Sequence, residues 1–214
     1  MTRADKGETM ASAVQTAFDT AERARHFRFS DLEAEGWQPF VARHAAGLSL
    51  ADIEALAEAI GKQVGYEPGS DLRSFVRRIG GNLSTSLIGD LSDASPTGLY
   101  VRSASTDFLI AIPAASSSRF DQFMVAKALA HYFLHFRSAG HSSRRKVENG
   151  DISAIEQEAV IFAVTFLMPS AAFEHAFART GGDIAALAAH FRVPVAVAEV
   201  RVKRFSVPIE RAHA

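Results

Sequence analysis

The chain has 214 residues, 48% of them apolar and 22% charged, enough apolar material to bury one substantial core. A formal net charge of −1 argues against tight nucleic-acid binding through bulk charge, and the absence of cysteine excludes disulfides and thiolate metal sites. Any metal would have to be held by His, Asp and Glu.

In chain order, the opening MTRADKGETM has no apolar targeting core, and the longest apolar run, 159–168, is broken by Thr165 and too short to cross a bilayer. A cytoplasmic protein with no membrane partner is expected. Val14, Ala17, Phe18 and Ala21 recur at helical spacing, so residues 1–48 read as an N-terminal helical extension. SLADIEALAEAIG places Ser49 as a helix N-cap, Ile53, Leu56, Ala57 and Ile60 on one face, and Gly61 as the stop. GSDLRSFVRRIGG repeats that grammar: Ser70 or Asp71 caps, Leu72, Phe75, Val76 and Ile79 are buried, and Gly80 with Gly81 ends the helix.

The period then changes to two. NLSTSLI, GLYVRS and DFLIAIP read as short strands of a small, mostly antiparallel sheet. Residues 119–136 follow as one long helix, then a polar loop carrying His141, Arg144, Arg145 and Lys146, read as solvated and basic. Residues 152–168 form an apolar helix closed by Pro169. A short helix and two more, with a turn at 192–194, complete the chain and have the size of a helix-turn-helix. His175 and His190 have no acidic partner at ligand spacing and read as surface or packing residues. Phe162 and Phe166 read as core, and Ser116, Ser117 and Ser118 as loop, since no nucleophile elbow surrounds them.

Chemistry concentrates in VAKALAHYFLH, where His131 and His135 stand four apart and so share one helix face, the spacing that presents two imidazoles to one metal. The next helix carries EQEAVIFAVTFLMP, and packed against the first it can turn Glu158 toward the histidines.

These two segments in this order resemble the ImmA/IrrE family of zinc peptidase-like proteins, over roughly residues 50–205. The family pattern is F-T-x-A-H-E-x-G-H-Y-x-L-H, then E-A-N-x-F-A-A-x-L-L-M-P. In that register Lys127 stands where the family has its first metal-binding histidine and Ala128 where it has its catalytic glutamate. His131 matches the second histidine, Glu158 the third ligand, and Val160 replaces the usual asparagine. The resemblance implies an α+β, mostly helical, zincin-like metallopeptidase fold with a small antiparallel sheet and a C-terminal helix-turn-helix-like subdomain. Its divisions would be 1–48, 49–169 and 170–214.

A catalytic zinc needs three protein ligands and a water, with a carboxylate beside that water to take its proton. Ala128 cannot take a proton, and an ammonium at Lys127 repels a divalent cation. The expectation is therefore a degenerate site with no cofactor, in which Lys127 neutralises Glu158 beside His131. This site would bind a protein partner, a transcriptional repressor or a regulator of a phage or mobile element. Two alternatives accompany it. His131, His135 and Glu158 could hold zinc as a frame-shifted site in an active endopeptidase, although Tyr132 would then take the glutamate's place; the plainer reading of His135 is a half-buried polar residue bonded to a neighbour. The C-terminal helices could bind DNA through Arg201, Lys203 and Arg204, but Arg192 stands where a turn glycine is usual, and the second helix is rich in Val and Ala rather than in base-reading side chains.

Overall fold

A computed structural model describes residues 35–86, 97–102, 107–113, 117–137 and 152–206. The helix expected around Val14 to Ala21, Ser116, and the basic loop with His141, Arg144, Arg145 and Lys146 lie outside these residues. Of the expected helical extension, residues 35–48 are described and form no helix. They make a turn, the two-residue strand β1 (Gln38–Pro39) and an extended strap leading into the first helix. Pro39 disfavours helix for the residue before it, and Gly36 and Gly47 take positive φ angles of 80° and 68°.

Helix α1 (Leu50–Gln63) starts at Ser49, whose hydroxyl accepts from the Asp52 amide. Gly61 does not stop this helix. It lies inside it and faces the Phe166 ring, which a side chain at Gly61 would meet at 3.7 Å, and the chain turns out only at Gly65, with φ +64°. Helix α2 (Leu72–Arg78) is capped by Asp71, and the buried Gln122 closes its start from outside, accepting from the Leu72 amide and donating to the Ser70 carbonyl. Gly80, at φ +84°, ends it, and Gly81 already belongs to β2.

Strands β2 (Gly81–Ser86), β3 (Leu99–Val101) and β4 (Phe108–Pro113) join β1 in a four-stranded sheet of order β1-β3-β4-β2. β1 with β3 and β3 with β4 are antiparallel, whereas β2 runs parallel to β4. The sheet is thus mixed: β3 takes one side of β4 as its antiparallel partner, and β2 occupies the other.

The long helix expected over 119–136 is continuous but changes register. It is α-helical from Ser118 to Ala130 (α3) and π-helical from His131 to Arg137. Helix α4 (Ile152–Leu167) packs across it, and the core lies between these helices and the inner face of the sheet. Phe162 and Phe166 are buried there as expected, with Tyr66 stacked on Phe166 at 4.7 Å. Beyond Pro169 come α5 (Ser170–Thr180), α6 (Ile184–His190) and α7 (Val195–Ser206). His175 and His190 are exposed on them. Among the described residues no single helix is long and apolar enough to cross a membrane.

Candidate functional site

The site is built where α3 becomes a π-helix. The i→i+5 bonding of a π-helix widens the backbone there, and within it the rings of His131 and His135 are in direct contact, with Nδ1 to Nδ1 at 3.1 Å and ring centroids at 5.1 Å. Both rings are buried, His131 completely. A nitrogen–nitrogen contact of this length places one proton between two lone pairs, so the two Nδ1 atoms are committed to each other. His135 Nε2 lies 2.9 Å from Glu158 Oε2, and because an ionised carboxylate only accepts, the imidazole donates.

Glu158 is satisfied from a second direction. Its Oε2 accepts from the Ala46 amide at 2.7 Å and its Oε1 from the Gly47 amide at 3.0 Å, so the strap's backbone closes over the carboxylate. Burial alone would raise its pKa. The bonds from His135, Ala46 and Gly47 together outweigh burial and hold it below the ordinary value.

Lys127, one turn before His131, is mostly buried along its stem, and its Nζ lies 2.6 Å from Glu156 Oε2. This corrects the expected pairing of Lys127 with Glu158. Two residues on an α-helix project about 200° apart, so Glu156 and Glu158 leave α4 on different sides, and Lys127 meets the one on its own side. His131 Nε2 stands 3.4 Å from Glu156 Oε1 but makes no hydrogen bond. Burial, with lesser repulsion from His135 and Lys127, pushes the His131 pKa down to about 3, so this ring is neutral at physiological pH. Ala128 is buried in the core.

The arrangement does not fit a zinc ion. Three of the four imidazole nitrogens and both Glu158 oxygens are engaged by other protein groups, and an ammonium sits on Glu156. Among the described residues no three His, Asp or Glu side chains converge on a point that could hold a metal. His131, His135 and Glu158 do come together, but in a chain of contacts rather than around a shared centre. Sequence reasoning missed Glu156, although it stands two residues before Glu158 in the same quoted segment. It also missed Ala46 and Gly47, for which Ala-Ala-Gly before the Ser49 cap is the available turn signal.

No curated protein matches the chain. The model of the IrrE N-terminal-like domain of the M78 peptidases matches residues 92–203, just over half of the sequence and including both helices of the site, and the chain belongs to that family.

Proposed function

We propose that this protein keeps the metallopeptidase-like fold without peptide-hydrolysing chemistry, and acts by binding a protein, a transcriptional repressor or a regulator of a mobile element. The observation that carries this reading is the Lys127–Glu156 ion pair, which puts a fixed protein cation where the family pattern has its first metal ligand. Next to it Ala128 offers no atom that could take a proton from water. Around them the polar groups form a chain: Lys127 to Glu156, His131 to His135, His135 to Glu158, Glu158 to the strap amides. The chain of contacts supports a polar interior that holds its shape without a metal, with His131 Nε2 the one imidazole nitrogen left without a hydrogen bond.

Elemental analysis of protein purified without chelator tests this. The expected result is no stoichiometric zinc and no cleavage of a repressor when zinc is supplied. One zinc per chain that disappears in His131→Ala would overturn the reading. DNA binding is not favoured, because Arg201 and Arg204 of the C-terminal basic run are engaged inside the molecule.

A further inference from the structure

The C-terminal ends of three helices meet around a cleft of about 320 Å³. Helix α1 supplies Ile60 from its last turn and Val64 just beyond it, Ile79 follows the last residue of α2, and Phe133 comes from the π-helix. Each of these four side chains is half-buried, packed against the core and still partly open. Apolar walls that face water favour an occupant that covers them. The volume stands at the lower end of the range for ligand pockets, roughly 300–1,000 Å³. It suits a single ring or a short alkyl chain and is too small for a helix, whose diameter with side chains is roughly 10–12 Å.

The polar groups of the cleft are Gln63, the Tyr132 hydroxyl and the Arg137 guanidinium. Tyr132 is buried, with its ring 4.2 Å from Phe108 and 5.7 Å from Phe136 between centroids, and its hydroxyl accepts a hydrogen bond from the exposed Arg137 side chain. One such bond does not exhaust a guanidinium, whose planar fork of five N–H groups matches the oxygens of a carboxylate.

The surrounding charges decide the sign of the occupant. Each of the three helix C-termini carries roughly half a negative charge. Against them, Lys62, Arg77, Arg78 and Arg137 in the last turns of the same helices bring a full positive charge each. Arg78 is held close by, since its guanidinium reaches the Gly65 carbonyl at 3.4 Å, one residue beyond Val64. Among the described residues that form the walls none is acidic, and Asp107, a carboxylate felt at Tyr132, is not one of them. The balance is positive and favours an anion.

We propose that this cleft binds a small amphiphilic anion, a carboxylate whose short alkyl chain lies on Ile60, Val64, Ile79 and Phe133 and whose head group is held by Arg137. The site does not rest on the protein-binding reading above, although Tyr132, Phe133 and Arg137 share the π-helix with His131 and His135.

Octanoate, kept well below the concentration at which it forms micelles, is the probe, and the full chain carries labelled Ile, Leu and Val methyl groups. Titration followed by NMR is expected to shift Ile60, Val64 and Ile79 in a saturable way. The fully buried Ile53 and Leu187 and the exposed Ile152 and Val195 should stay in place. Calorimetry is expected to show affinity weaker by about tenfold or more in Arg137→Gln, the loss of a charge-assisted hydrogen bond. Octylamine, which keeps the chain and reverses the charge, should bind as poorly to the wild type. Val64→Phe fills the cleft and leaves every charge in place, and it should remove binding while circular dichroism stays unchanged. Octanoate that shifts no methyl group overturns the proposal, as does an unchanged affinity in Arg137→Gln. Equal binding of octylamine, or of acetate with its head group and no chain, overturns it too. Shifts that extend equally to Ile152 and Val195 would mean adsorption over the whole surface, and they also overturn it.

Discussion

His131 has exchanged access to solvent for a neutral ring, and that exchange sets how the molecule responds to acid. Its native pKa of about 3 lies far below the 6.5 of a free histidine. Between those values the unfolded chain binds a proton that the native chain refuses, so stability falls as pH falls, with a limiting slope of about 1.4 kcal/mol per pH unit. Glu158 acts in the same direction. Its lowered pKa contributes stability that is complete above the ordinary carboxylate range and is lost as acid protonates it. Urea midpoints taken from pH 7 down to pH 4 should therefore decline steadily. In His131→Leu, which has no proton to take up, the part of the slope that begins near pH 6.5 should disappear. A wild-type stability that stays flat across this range would show that the ring is not held neutral by burial.

The elements were largely legible where local chemistry dictates them. Ser49 caps the helix it was read to cap, Asp71 proves to be the cap where Ser70 or Asp71 was expected, the three period-two runs contain strands, and Gly80 ends its helix. What was not legible depends on distant partners. The π-register at 131–137 escapes any pattern reading because, over two turns, apolar spacing fits an α-helix equally well, and the change shows only when His131 and His135 touch. Glu156 was passed over because the family pattern points to Glu158, and only packing decides which carboxylate faces Lys127. Gly61 was misread since a glycine that ends a helix and one that lies just inside its last turn look alike in sequence, and only the fold shows the helix running to Gln63 and the chain turning at Gly65. The turn between α6 and α7 was located correctly. There Arg192 holds φ +55°, a left-handed conformation that costs a side-chain-bearing residue about 1–2 kcal/mol. Because Arg192 is exposed and glycine adopts that conformation without strain, Arg192→Gly should raise the melting temperature, by a gain of about 1 kcal/mol in chemical denaturation.

At the scale of the whole molecule, the C-terminal helices are fastened to the site-bearing body by charge. Arg201 is buried, donates through Nε to the Met168 carbonyl and through a terminal nitrogen to the Ser170 hydroxyl, both at 3.0 Å, and lies 4.0 Å from Glu54 of α1. Arg204 binds the same Glu54 at 2.6 Å. Glu58, one turn on from Glu54, accepts from the Ser170 amide at 2.8 Å and supplies the cap that Pro169 cannot offer α5. Burial opposes the Arg201 charge while Glu54 and Glu58 support it. Removing this guanidinium strands a buried carbonyl and leaves two carboxylates with less compensation, which places the expected loss for Arg201→Ala at about 3–5 kcal/mol. Arg201→Lys should recover little of it, because an ammonium cannot reach the carbonyl, the hydroxyl and Glu54 in the planar geometry of the guanidinium. If the C-terminal helices were an independent DNA-binding unit, the same substitution would weaken nucleic-acid binding and leave the body intact. The fold instead predicts that the single cooperative unfolding transition moves to lower denaturant for the whole chain, measured together by tryptophan fluorescence at Trp37 and by helical circular dichroism. Two separated transitions in the wild type, or an unchanged midpoint in Arg201→Ala, would show that the fastening is absent in solution.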